Sequence, residues 1–233
     1  MKVQIWSDVM CPFCYIAKNN FEKALLQLPF AKEVEVEWKS FQLDPELKDT
    51  SENMTFGQYL MHSKGFSVQK KDEFLQQLTD MGRNSGVNFD FDKTFVANTF
   101  QAHKLLHLAK KYGMDNKMEE LLFQALFETG KNIADNQLLI SFAEQLCIDK
   151  DEAQEVLLSN KLDYAVKQDF EEAKNIGISG VPYFVLDNKY AISGAQPVEA
   201  FFSALTQNYR ETKKPLENSG ENNGSCTTDE CLL

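Results

Sequence analysis

Apolar and polar positions alternate with a period of two at the start of the chain, with Val3, Ile5 and Ser7 on one side and Lys2, Gln4 and Trp6 on the other. That parity predicts a first strand over residues 2–7, because successive strand side chains point to opposite faces. The period then changes. Cys14, Ala17, Phe21, Leu25 and Leu28 recur at steps of three and four until Pro29, which predicts a helix opening at or just after Cys11. "EVEVEWKSFQL" returns to alternation, setting Val34, Val36 and Trp38 against Glu33, Glu35, Glu37 and Lys39. A strand with one charged face suits a sheet edge.

From about residue 53 to 177 the pattern is helical almost throughout, broken at "SKGFS", "NSGVNFDFD", "KYGMD", "ETGKNIADN" and "CIDKDEA". Asn98, with Gln101 three residues on, has the spacing of a capping box and opens a helix that ends at Gly113. Tyr183 to Leu186 is an unbroken apolar run, as expected of a strand buried on both faces. Asp187-Asn188 reads as a turn, Lys189 to Ile192 as a short antiparallel return strand, and "PVEAFFSALTQNY" as an amphipathic helix. The order is strand, helix, strand, long helical block, strand, hairpin strand, helix. The first two strands should pair in parallel across the first helix. Beyond Tyr209 the chain turns polar and rich in Gly, Asn and Ser, a composition that builds no core.

With 233 residues and 43% hydrophobic content, the chain can bury one large core, or one core and an inserted subdomain. A net charge of −11 opposes phosphate backbones and anionic lipid, which argues against nucleic acid and membrane partners. No apolar run approaches the roughly 20 residues that span a bilayer. The N-terminus lacks the apolar stretch and small-residue cleavage site of a secretory signal, so a cytosolic chain is expected. Five cysteines are too sparse for a disulfide scaffold. They fall as Cys11 with Cys14, Cys226 with Cys231, and Cys147 alone.

"CPFC", residues 11–14, could be a redox couple, half a metal site or two inert thiols. The strand-to-helix context favours the couple. At a helix N-terminus, cysteines at i and i+3 lie one turn apart, and the first faces unpaired N–H groups that favour its thiolate. Cys14, on the buried face, is placed to attack a mixed disulfide formed at Cys11. Pro12 fits the first helical turn, where its missing N–H costs nothing. A zinc reading needs a second half-site, and His103 and His107, four apart on an apolar helix, do not supply one. Val181-Pro182, after Gly177 and Gly180, reads as a sharp fixed turn that brings backbone groups beside Cys11. Cys147 closes the apolar "LLISFAEQLC" stretch and reads as a small buried hydrophobe. Met10 and Phe13 flank the pair as packing residues or as an apolar docking rim. Cys226 and Cys231 sit on a tail whose span, roughly 25 Å, would reach Cys11, so they form either a second redox pair or two reduced thiols.

"SDVMCPFCYIAK", "NTFQAHKLLHLA" and "GISGVPYFVLDNKYAISGAQP" together resemble the DsbA-like branch of the thioredoxin superfamily, in particular its cytosolic FrnE-type members, over residues 1–207. The resemblance implies an α/β thioredoxin fold with an all-helical domain inserted between the second and third strands. Its domains would be residues 1–50 with 161–209, an insert at 51–160, and a tail at 210–233. It also implies Cys11 as attacking cysteine, Cys14 as resolving cysteine, Pro182 as a cis-proline, and a groove facing Cys11 lined by Asn98, Thr99 and His103. On the residues alone, Asn98 is a helix cap and His103 a packed histidine. The expected activity is protein or peptide thiol–disulfide exchange, with no cofactor beyond the Cys11–Cys14 couple and with glutathione as a candidate reductant. Periplasmic DsbA oxidases carry Pro-His between the cysteines; Phe13 can donate neither a hydrogen bond nor a charge to Cys11, so a less oxidising couple is expected. Reductase, isomerase or relay roles follow. The rival reading is a glutathione-dependent enzyme resembling the 2-hydroxychromene-2-carboxylate isomerases and kappa-class glutathione transferases, which usually have serine at the position of Cys11.

Overall fold

The computed structural model describes residues 1–47 and 54–213. Cys226 and Cys231 lie outside the described residues. The sheet has four strands in the order β2-β1-β3-β4: β1 (Lys2–Ser7), β2 (Glu35–Ser40), β3 (Tyr183–Leu186) and β4 (Tyr190–Ser193). β1 and β2 are parallel, with Ile5 opposite Trp38, and are joined through α1 (Pro12–Leu26). The charged strand β2 is indeed an edge. β3 runs antiparallel to β1, with Phe184 opposite Ile5. Asp187 and Asn188 turn the β3–β4 hairpin at φ 47° and 56°, the left-handed pair that a two-residue turn needs to match strand twist.

Between β2 and β3 come α2 (Phe56–Lys64), α3 (Val68–Ser85), α4 (Phe100–Lys111), α5 (Asp115–Phe123), α6 (Asn136–Gln145), α7 (Lys150–Leu158) and α8 (Asp163–Asn175), and α9 (Val198–Lys213) follows β4. The chain is thus an α/β thioredoxin fold carrying its helical insertion where the sequence pattern puts it.

One sheet face packs on α1 and α9. Val3, Ile5, Phe184 and Leu186 meet Ala17, Phe21 and Ala24 from α1 and Phe201 and Leu205 from α9. The rings of Phe21, Phe184 and Phe201 touch one another, Phe184 to Phe201 at 4.7 Å between centroids. On the other face Trp6 packs with Ala173 and Ile178. Because α8 sits over the β2 side, Tyr183 and Val185 are half-buried, so β3 is less enclosed than its apolar run suggests.

Two local expectations fail. The capping box at Asn98 and Gln101 does not form: Thr99 occupies the N-cap of α4 without a side-chain cap bond. Asn98 instead accepts from the Phe100 N–H at 2.9 Å and donates to the Leu47 carbonyl at 2.9 Å, tying the start of α4 to the segment after β2. Cys147 is exposed. It takes the left-handed position that closes α6, at φ 58°, with its N–H on the Glu144 carbonyl and that of Ile148 on Ala143. In this closure the apolar residue turned inward is the next one, Ile148.

Candidate active site at the end of the first strand

Cys11 is the N-cap of α1, in extended conformation, and Pro12 opens the helix. Its N–H bonds to the Asp8 carbonyl at 2.9 Å, and its own carbonyl accepts from the Cys14 N–H at 3.0 Å. This tight turn sets the two thiols one helical turn apart. The Cys11 thiol points at the Val181 carbonyl, 3.6 Å away, and the Val181–Pro182 peptide is cis. Segments far apart in the chain therefore meet at one sulfur.

Both cysteines are free and buried, Cys11 at 3% exposure and Cys14 at 1%. Burial pushes the Cys14 thiol well above its usual range, and the neighbouring Cys11 sulfur adds to the shift. The Asp8 backbone N–H and the Ser7 hydroxyl oppose it by favouring the thiolate. Cys14 thus holds its proton firmly among groups that would stabilise the anion once formed.

Phe13 is half-buried and packs edge-on against Phe74 of α3. Met10 is buried with Ile16, Phe56 and Tyr59, so of the two flanking residues only Phe13 reaches the surface near the pair. Pro182 is buried and Val181 half-buried. Gln42 donates to both Asn98 and Thr99. His103 is 1% exposed, with Nε2 3.5 Å from an Asp8 carboxylate oxygen and its ring edge-on to Phe170. It lies beneath the turn that carries Cys11 and not on an open wall.

Hydrophobic periodicity does not single out the buried polar residues below the cysteines. Asp8, wholly buried, accepts from the Met10 N–H and, at 2.8 Å, from the Leu43 N–H. Ser7 donates to Glu119 of α5 at 2.7 Å. Burial raises the Glu119 carboxyl to about 7, against the Ser7 hydrogen bond and the charges of His103 and Lys18. Lys18, 2% exposed, pairs with Glu120 at 2.7 Å and Glu22 at 2.8 Å. Burial likewise favours the protonated Asp169, but His107, the Ser40 N–H and Lys39 outweigh it and hold the carboxyl below its usual range. A signal for these residues is nonetheless present. Ser7 shares strand parity with Val3 and Ile5, and Glu119 shares a helical stripe with Leu122 and Phe123, so each is a polar residue on an apolar face.

Among the described residues, no group of three or more His, Cys, Asp or Glu could hold a metal ion, and no helix is long and apolar enough to cross a membrane.

The chain is similar over its whole length to a probable DsbA oxidoreductase from Streptomyces coelicolor, at 33% identity and a TM-score of 0.86, covering 100% of this chain and 99% of that one. It is 28% identical to the uncharacterized protein YwbO of Bacillus subtilis (strain 168), over 90% of this chain and 98% of the relative. The cytosolic disulfide reductase DsbM of Pseudomonas aeruginosa shares the fold, at a TM-score of 0.66 and 14% identity, over 91% of this chain and 100% of that one. Residues 2–206 match the DSBA-like thioredoxin domain, and with the cysteine pair, the cis-proline and the strand order in place the chain belongs to that family.

Proposed function

We propose that this protein is a thiol–disulfide oxidoreductase acting on protein or peptide disulfides, with Cys11 as the attacking and Cys14 as the resolving cysteine. The observation that carries the reading is the placement of the pair. Cys11 opens a helix against the Val181 carbonyl, and Cys14 stands one turn behind it, buried and protonated. The Cys11 thiolate attacks a substrate disulfide, forming a mixed disulfide and releasing one substrate thiolate. Cys14 then attacks the Cys11 sulfur, releases the second substrate thiolate and leaves the Cys11–Cys14 disulfide. Substrate gains two electrons and the protein loses two. Two glutathione thiols, oxidised together to glutathione disulfide, would return them.

Phe13 brings no charge to the Cys11 sulfur, which favours reductase, isomerase or relay work in a reducing compartment such as the cytoplasm over strong oxidase activity. The retained Cys14 separates this reading from a glutathione-dependent isomerase or transferase, whose chemistry needs no resolving thiol. Insulin reduction with dithiothreitol tests it: the wild type should accelerate precipitation, and Cys11→Ser should fall to the uncatalysed rate. Equal activity in both proteins overturns the reading.

A further inference from the structure

A groove of about 710 Å³ lies between α3 and the loop that follows it, a volume in the range of sites that bury ligands. Leu75, Phe89 and Phe91, all half-buried, supply its apolar lining. Phe89 and Phe91 stack with their centroids 5.0 Å apart, and a Cβ on Gly82 of α3 would stand 2.6 Å from the Phe89 ring. A glycine weakens a helix interior; here the missing side chain is what lets the ring seat against the helix.

The same groove is lined by the carboxylates of Asp72, Asp90, Asp92 and Glu128, against the single ammonium of Lys71. Two of the four have cations of their own: Lys71 meets Asp72 at 2.5 Å and Lys93 meets Asp90 at 2.6 Å. Asp92 and Glu128 make no ion pair among the described residues. Glu128 shares the one phenol proton of Tyr15 with Glu120, at 3.1 and 2.9 Å, and it is Glu120 that Lys18 neutralises. The groove thus combines aromatic surface with negative charge that the chain leaves uncompensated.

We propose that this groove docks a basic segment of the polypeptide whose disulfide the cysteine pair exchanges, with Lys or Arg stems on Leu75, Phe89 and Phe91 and their charged heads at Asp92 and Glu128. This rests on the exchange reading above. Long basic side chains suit such a surface because the stem is apolar and the head charged, whereas an acidic segment would meet like charge. From Lys71 to Thr79 the α3 wall of the groove spans two turns, about 12 Å, which three or four extended residues cover. Two ring contacts tie the groove to the thiols. Phe89 meets Tyr15, one turn after Cys11 on α1, and Phe74, beside Leu75 on α3, meets Phe13. A segment lying in the groove therefore rests on elements packed directly against the helix that carries the cysteine pair.

The test uses two peptides with the same disulfide core, one flanked by a run of lysines and the other by serines, and a fluorescent copy of the lysine peptide without cysteines. At low ionic strength the reduced protein should reduce the lysine peptide with a second-order rate constant roughly 10-fold above that for the serine peptide, and the difference should fade in about 0.5 M salt. The cysteine-free lysine peptide should bind the wild type and bind Asp92→Lys about 10-fold more weakly. Glu171→Lys, the same charge change at an exposed position on α8, should alter binding by less than about 2-fold. Undiminished binding in both Asp92→Lys and Asp72→Lys overturns the docking site, and so do equal rate constants for the two disulfide peptides. Displacement of the labelled peptide by spermine as effective as by its unlabelled copy would assign the groove to small cations and overturn the polypeptide reading. Reduction of neither peptide, with binding of the lysine peptide intact, overturns the exchange reading instead.

Discussion

The core between the sheet and the α1–α9 pair is dry and aromatic, whereas the seam between the end of β1 and helices α4 and α5 is equally buried but polar. In the first region Phe21, Phe184 and Phe201 fill space with no group that must find a partner. In the second, Ser7, Asp8, His103 and Glu119 occupy positions that an apolar side chain would fill at lower cost. The two regions share one strand. Val3 and Ile5 feed the dry core and Ser7, two residues on, feeds the seam, so β1 passes from a stabilising to a chemically capable environment within its own length. The contrast teaches that burial here has two uses: one excludes water to hold the fold, the other excludes water to tune protons.

Three measurements can break or sharpen that contrast. Phe201→Ala removes a ring from the dry core and should cost about 3–5 kcal/mol in denaturant unfolding; a loss near that of a surface change would mean the aromatic cluster does not anchor the fold. Glu119→Gln should act in the opposite direction. The native Glu119 carboxyl titrates at about 7 against an ordinary 4.5, so between these values the folded state binds the proton more tightly than the unfolded one. Stability therefore falls as pH rises through that window, and the penalty is complete above it, on the order of 3 kcal/mol. The variant should be more stable than wild type by up to that amount at about pH 8 and indistinguishable near pH 4.5; a pH-independent difference would mean that the seam bears no charge strain. Trp6→Phe gives the smallest effect. It deletes the indole N–H bond to the Asp169 carbonyl, 3.1 Å long, and should cost about 1 kcal/mol, with no pH dependence between about pH 6 and 8 in the same unfolding assay. A larger loss would place Trp6 with the dry core.

Much of this is legible in the residues. Alternation marks β1 and the edge strand β2, since a half-buried strand must alternate, and Asp187-Asn188 announces the hairpin because these side chains tolerate left-handed backbone. The cysteine pair is legible because Pro12 and the preceding strand fix where a helix can begin. Periodicity fails at the ends of elements. Cys147 continues the apolar rhythm of α6 but lies one residue past its last turn, where backbone closure and not hydrophobicity decides which way a side chain faces. Asn98 departs from the capping pattern for a related reason: its amide has carbonyl partners in a segment some fifty residues earlier in the chain, and tertiary contacts outbid a local cap. Glu119 is hidden by its neighbour Glu120. Two adjacent acids on a helix read as one solvated pair, although successive residues point about 100° apart and only Glu119 points inward.

Asp8 has a consequence of a mechanical kind. Its two carboxylate oxygens accept backbone N–H groups from Met10 on one side and Leu43 on the other, so the turn that carries the thiols and the segment leaving β2 are riveted through a single side chain. A force or a substitution applied to the Leu43 segment is thereby transmitted to the frame around Cys11, and loop exchange there becomes a lever for adjusting the cysteine pair without touching any residue that contacts a sulfur.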